Sequence, residues 1–199
     1  DFAMVMRSFL RADPDIIMVG ESRDHETVAM GVEASLTGHL VFSTLHTNDA
    51  PSAITRLMEL GVPSYLINAT LLGVLAQRLV RTLCKQCKQR DETASRDALA
   101  EVVKPWKING AYQPYKPVGC VDCRMGGYRG RMGLYELLTV SEGFGRLIRE
   151  SGEMRTLREQ SVKDGMKPLR IAGAMKVVEG VTTADEVLKV QPPLPWTRP

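Results

Sequence analysis

The strongest constraint on this chain is its set of four cysteines, which fall as two identical pairs. Cys84-Lys-Gln-Cys87 and Cys120-Val-Asp-Cys123 stand about thirty residues apart. A CxxC turn presents two thiolates to one ion from a single short loop, and two such turns complete the four soft ligands of a tetrahedral Zn²⁺. Buried apolar cysteines would not recur in this spacing among Lys, Gln and Asp. A redox dithiol needs one such turn at a strand–helix junction rather than two facing ones. Two disulfides are the competing arrangement and belong to secreted domains. The pairs predict a closed structural zinc site of Cys84, Cys87, Cys120 and Cys123, with no open position for catalysis. Residues 88–100 are charged, and 104–119 are rich in Pro, Gly and aromatics. Residues 81–127 therefore read as a zinc-stapled subdomain with little core of its own.

The flanking sequence has a different rhythm. Apolar residues at helical spacing fill 2–12, and Pro14 stops them. Ile16 to Val19 is a continuous apolar run, the mark of a strand covered on both faces. Helical spacing returns over 25–36, with Val28, Val32 and Leu36 on one face and Thr37-Gly38 ending it. Leu40 to Leu45 reads as a second strand. Asn48 or Asp49 can cap a following helix whose first turn holds Pro51 and whose end is marked by Gly61 and Pro63. A further helix is expected over about 65–80. Strand and helix alternating in this way predict a parallel α/β sheet over 1–80. After the cysteines, 128–140 reads as a returning strand or hairpin. Short helices follow over about 142–150, 153–164, 168–179 and 183–189, so 128–190 forms a return strand and helical C-terminal subdomain. Residues 191–199 hold four prolines and read as a tail.

With 199 residues, 44% of them hydrophobic, there is material for a real core. A formal charge of +3 is too mild to imply nucleic acid or an anionic membrane by itself. The longest apolar stretch, Leu66 to Val80, is interrupted by Asn68, Gln77 and Arg78 and is too short to span a bilayer. The chain opens Asp1-Phe-Ala-Met-Val-Met with no charged-then-apolar leader, and its first residues resemble mid-helix. It reads as a piece of a longer polypeptide.

Chemistry is expected where strands end, because ligands of parallel α/β sheets sit at the strand C-termini. Glu21 ends the first strand in the manner of a Walker B segment. A carboxylate there can hold Mg²⁺ through water or orient an attacking water. Gly20 lets backbone approach a ligand closely. His46, with Thr44 and Thr47, ends the second strand on the same edge, and such groups hydrogen-bond a terminal phosphate well. His39 stands at the strand's start, where a structural hydrogen bond is its simplest role, and the odd spacing from His46 argues against a shared metal. His25 reads as a solvated residue in a first helical turn, and Arg23 with Asp24 as an ion pair. Arg78, Arg81, Arg124, Arg129 and Arg131 gather around the cysteines. Aromatic stacking partners are sparse and acids are interleaved, so solvated or interfacial arginines fit better than a nucleic-acid site.

These segments resemble a known family. Residues 10–24, LRADPDIIMVGESRD, are similar to the signature of the secretion ATPases of type II secretion and type IV pilus assembly, the GspE/PulE and PilB group. Leu10, Arg11, Pro14, Asp15, Gly20, Glu21, Arg23 and Asp24 fit its pattern. Residues 37–50, TGHLVFSTLHTNDA, resemble its His box, with His39 and His46 in place. AQRLVRTLCKQC and GYRGRMGLYELL resemble the approach to and exit from its tetracysteine motif. The resemblance covers almost all of residues 1–190.

It implies the C-terminal half of a RecA-like P-loop ATPase domain, an inserted tetracysteine zinc subdomain and a helical C-terminal end. Glu21, His46 and His39 would be catalytic. Gly20, Glu21, Arg23, Thr44 and His46 would face ATP and Mg²⁺, and the four cysteines would hold Zn²⁺. Proteins of this kind are cytoplasmic homohexamers at the inner membrane. They drive a membrane platform protein that adds subunits to a pilus or pseudopilus. The tetracysteine favours assembly and secretion over retraction-type or conjugation-type ATPases.

Two departures stand out. Ser22 replaces a hydrophobic residue of the signature, and a hydroxyl there needs a partner, since leaving it unpaired costs roughly 1–3 kcal/mol. No GxxxxGK[ST] phosphate loop occurs in these 199 residues, so they are expected to be inactive alone. The alternative from another class is a non-catalytic zinc module for protein or nucleic-acid binding. The two strand-end motifs count against it.

Overall fold

The computed structural model describes residues 12, 14–92, 99–100, 114–150 and 153–191. The helix expected over 2–12, most of the excursion between the cysteine pairs and the Pro-rich tail from 192 lie outside the described residues. Contacts divide the chain into two compact units, residues 1–76 with 137–166 and residues 77–136 with 167–199.

The first unit is built on β1 (Ile16–Val19) and β2 (Leu40–Ser43), which pair in parallel with Ile16 opposite Leu40 and Val19 opposite Ser43. Helix α1 (His25–Leu36) connects them. It starts at Asp24, whose Oδ1 accepts the Thr27 N–H at 2.8 Å, a cap of roughly 1 kcal/mol. It ends as expected at Thr37 and Gly38. Ile17 and Val19 bury against Met30 and Ala34, with Val41 alongside. Leu36, expected on that inner face, is instead exposed. The small residues Gly31 and Ala34 let α1 lie close to β2, where a Cβ on Gly31 would stand 3.7 Å from Val41. Seating the helix on Ala34 turns Leu36, two residues on, to the opposite side. The apolar run of β1 called for cover on both faces. Among the described residues only the Ile17 and Val19 face is covered, while Ile16 and Met18 are exposed.

α2 (Ser52–Glu59) follows a loop in which Asp49 takes the Ser52 N–H at 2.9 Å. Asp49 also accepts two bonds from Arg158, at 3.0 and 2.7 Å. α3 (Ser64–Thr70) is shorter than expected. The helix expected over 65–80 stops at Thr70, and β3 (Gly73–Leu83) takes its place. β3 pairs with β6 (Tyr128–Thr139). The apolar residues of 73–83 fit helix or strand locally, and the long partner strand decides it. Gly73 suits the start of this pair, since a Cβ there would meet the Leu138 carbonyl oxygen at 2.7 Å. The unit closes with α4 (Glu142–Arg149), capped by Ser141, and α5 (Met154–Lys163). Phe144, Ile148, Leu157 and Ile67 are buried.

The second unit holds the rest of β3 and β6, the small β4–β5 ribbon (Gln89–Arg90 and Tyr115–Lys116), α6 (Leu169–Val178) and α7 (Ala184–Val190). Pro168 precedes α6 as expected but offers no side-chain cap. The buried Glu136 supplies one instead, accepting the Leu169 N–H at 2.8 Å. α6 and α7 approach closely at Gly173, where a Cβ would overlap Val187.

Glu186 of α7 is 5% exposed. Arg81 grips both of its oxygens, Nε at 2.9 Å and Nη2 at 2.6 Å, while lying 4.2 Å from the Tyr128 ring centre. Lys189 adds a bond at 3.0 Å. The Arg81 hydrogen bonds outweigh burial and hold the Glu186 carboxyl down to about 2. A carboxyl held below its unfolded value, roughly 4.3, stabilises the fold above that pH, and the stability is lost as pH falls toward the folded value. Glu186→Gln is expected to cost on the order of 2 kcal/mol at neutral pH, a figure reduced for the half-exposed Arg81. It should also flatten the loss of stability between about pH 4.3 and pH 2. Denaturant unfolding followed across that range checks both.

Candidate functional site

Parallel pairing brings the C-terminal ends of β1 and β2 to one edge, and three polar contacts fix the residues just beyond them. Ser22 N–H donates to the Thr44 carbonyl at 3.0 Å. The Ser22 and Ser43 hydroxyls meet at 2.7 Å. The Thr44 hydroxyl donates to the Gly20 carbonyl at 2.6 Å. Ser22, buried in place of a hydrophobic residue, thus has the partner it requires.

This lacing sets Glu21 beside His46. Oε2 of Glu21 lies 2.6 Å from Arg23 Nη2, and Oε1 lies 2.7 Å from His46 Nε2. Oε1 is shielded from solvent, and His46 Nε2 is the polar atom that approaches it. The Arg23 hydrogen bond is the main cause that holds the Glu21 carboxyl below its ordinary value, with the charges of Arg23 and His46 adding to it against partial burial. An ionised carboxylate with one shielded oxygen at a strand end has the donor chemistry for a hydrated divalent cation or for a water awaiting activation. The surrounding cleft, about 520 Å³, is lined by Glu21, Ser22, Arg23 and His46, and by Arg56 and Glu59 of α2. Sequence reasoning missed Arg56 and Glu59. Their three-residue spacing signals only a helical ion pair, which they form at 3.1 Å.

Other expectations change. His39 is not brought to this cluster. Its Nδ1 lies 3.0 Å from the Ala34 carbonyl and 3.1 Å from Thr37 Oγ1, at the opposite end of β2. His25 is more than a solvated residue, for its Nδ1 lies 2.8 Å from the Leu60 carbonyl. Arg23 and Asp24 do not pair with each other. Arg23 turns to Glu21, and Asp24 is occupied by the first turn of α1.

The second cluster is the four cysteines. β4 pairs with β5, Gln89 opposite Lys116, and sets the two turns face to face. All four Sγ atoms lie within 4.8 Å of one another. Three of the separations are 3.9 Å (Cys84–Cys120), 3.8 Å (Cys87–Cys123) and 3.7 Å (Cys120–Cys123). A tetrahedron with metal–sulfur bonds of about 2.3 Å has edges of about 3.8 Å. A disulfide needs about 2.05 Å, so the thiols are free, as a metal requires. Backbone N–H groups point at the sulfurs, from Gly119 to Cys87 at 3.3 Å and from Cys120 and Gly127 to Cys123 at 3.1 and 3.2 Å. Burial pushes the Cys87 thiol up to about 11. Burial also acts on Cys123, but the N–H donors of Cys120 and Gly127 overcome it and hold that thiol down to about 7. Gly127 is required here, with φ +71 and a Cβ position that would collide with Pro117. Donor type, number and spacing fit a tetrahedral metal ion.

Comparison with known proteins bears on the fold and the family. Residues 1–189 match the family described as type II/IV secretion system protein. The type IV pilus assembly ATPase TfpB of Acinetobacter baylyi is 50% identical over 191 residues, 96% of this chain and 32% of that protein. The type II secretion system protein E of Aeromonas hydrophila is 45% identical over 190 residues, 95% of this chain and 37% of that protein. The crystal structure of the pilus retraction motor PilT with bound ADP aligns with a TM-score of 0.66 at 27% identity, over 97% of this chain and 44% of that one. The chain spans about a third of the length of these curated relatives. Its α/β fold is the C-terminal half of a RecA-like ATPase domain, carrying a tetracysteine insertion. A match over nearly its whole length places the chain in the family of type II/IV secretion system proteins.

Proposed function

We propose that these residues are the Walker B part of an ATP-hydrolysing motor for type IV pilus or pseudopilus assembly and protein secretion. The observation that carries the reading is the shielded Oε1 of Glu21, set beside His46 at the common edge of two parallel strands. Pilus-assembly and secretion relatives at 45–50% identity support the process.

In this reading Glu21 orients the attacking water or holds the cation's water shell through Oε1. Arg23 keeps the carboxylate ionised and fixed. His46 faces the same cleft, where its imidazole meets the terminal phosphate. Gly20 lets backbone come close, and Thr44 keeps the two strand ends in register. His39 is a positioning residue that anchors the start of β2. Mg²⁺, when bound with the nucleotide, supplies charge neutralisation at the transferred phosphate. The phosphate loop comes from outside these 199 residues, which is why they do not hydrolyse ATP alone. Cys84, Cys87, Cys120 and Cys123 hold a structural zinc. We further infer a homohexamer at the cytoplasmic face of the inner membrane, acting on a platform protein. No helix among the described residues is long and apolar enough to cross a membrane.

ATP turnover by the complete polypeptide and by its Glu21→Gln variant tests the motor. The variant is expected to lose about a hundredfold or more of the rate, and equal rates would overturn the assignment of Glu21. The 199-residue chain alone should show no turnover, and a steady rate abolished by Glu21→Gln would refute that. For the metal, elemental analysis should find one zinc per chain, absent from Cys84→Ser. Hydrogen exchange in that variant should rise around the cysteine turns and stay low in α1 and β2. Undiminished zinc would sink the four-cysteine site.

A further inference from the structure

The cysteine turns end in apolar side chains that stand in water. Val121 is 89% exposed, Met125 70% and Val118 48%. Val121 opens the 3₁₀ turn between Cys120 and Cys123. Arg124 N–H donates to the Val121 carbonyl at 3.0 Å, and Met125 N–H to that of Cys120 at 2.9 Å. Residues 118–125 therefore form one short tip, folded back on the sulfur cluster.

The backbone of this tip is strained. Arg124 (φ +52) and Met125 (φ +62) are the two non-glycine residues with left-handed backbone among those described. Glycine adopts that conformation freely and a side chain does so at a cost. Met125 thus combines an unfavoured backbone with an apolar side chain in solvent. The backbone serves the turn, whereas the exposed side chain adds nothing to the fold, and an apolar side chain kept there points to use.

The charge around the tip differs from the chain's average. Residues 84–92 and 114–131 carry seven Lys and Arg against three acids, Asp91, Glu92 and Asp122, whereas the whole chain is only +3. Four thiolates around one divalent ion would add two negative charges, and the surface stays basic. Lys85, Lys116 and Arg124 are exposed and form no ion pair among the described residues.

We propose that this tip makes direct contact with an anionic lipid bilayer. Val118, Val121 and Met125 enter the boundary between headgroups and acyl chains, while Lys85, Lys116 and Arg124 meet lipid phosphates. Area and shape favour lipid over a protein partner. A stable protein interface needs about 800 Å² per partner, more than three side chains supply. A fluid bilayer requires no matching shape. Nucleic acid fits poorly because the nearby rings are in use, Tyr115 under Lys88 and Tyr128 under Arg81. The inference stands apart from the ATPase reading, since the strand-end cluster has no part in it.

Co-sedimentation of the metal-loaded chain with vesicles is the test. One set is phosphatidylcholine and the other contains about one-third phosphatidylglycerol. Each basic side chain near an anionic surface contributes about fivefold in binding, so the anionic vesicles should bind at least tenfold tighter. Val121→Asp should weaken that binding by about tenfold with metal content unchanged. Met125→Gly separates binding from folding. Glycine suits φ +62, so the variant should melt no lower than the parent yet bind vesicles several-fold more weakly. Equal binding to both compositions, absence of binding, or full binding by Met125→Gly would overturn the proposal. Binding to polyglutamate without binding to vesicles would overturn it in favour of an acidic protein partner.

Discussion

The parallel register of two four-residue strands is the constraint on which the strand-end cluster depends. β1 and β2 contribute few backbone hydrogen bonds, and their buried contacts with α1 come from Ile17, Val19 and Val41. What fixes the register is the set of polar contacts immediately beyond the strands, among Gly20, Ser22, Ser43 and Thr44. A slip of one residue would reverse the faces of Ile17 and Val19 and separate Glu21 from His46. The serine that departs from the family signature is part of this lacing. It exchanges apolar packing for a hydroxyl pair at the edge where ligands are expected.

The second unit solves a different problem. The cysteine turns have few apolar side chains of their own, and the described core near them consists of Leu83, the cysteines and the strands that deliver them. Thiolate geometry and backbone N–H donors do there what hydrophobic burial does in the first unit. Around them the unit depends on buried carboxylates, Glu136 at the start of α6 and Glu186 beneath Arg81. Such groups are stable only while paired, and they stand beside a packed core of Val80, Leu134, Leu169, Val177 and Val187.

Much of this is legible in the sequence. The CxxC spacing points to the sulfur cluster, and the apolar run ending in Gly20-Glu21 points to the strand-end carboxylate. The turn at Thr37-Gly38 marks the end of α1 closely. What escapes has a common physical cause, since it is decided by partners remote in sequence. Residues 73–83 carry a pattern that suits helix or strand, and pairing with β6 settles it. Leu36 faces outward because Gly31 and Ala34 let α1 sit close. Arg56 and Glu59 reach the cleft through the placement of α2, which no local pattern encodes. Local sequence suggests a solvated His25 and an Arg23 paired with its neighbour, whereas folding supplies the Leu60 carbonyl and Glu21 as partners.

Asp49 carries a mechanical consequence. It lies three residues past His46, is 7% exposed, and divides its carboxylate between Ser52 of α2 and Arg158 of α5. The loop bearing His46 is therefore moored to a helix more than a hundred residues further along the chain. Displacing that loop must either draw α5 with it or strip a buried carboxylate of its guanidinium, and the second is the costlier course. A push felt at the imidazole is thus delivered to the helical end of the same unit, as through a rigid strut.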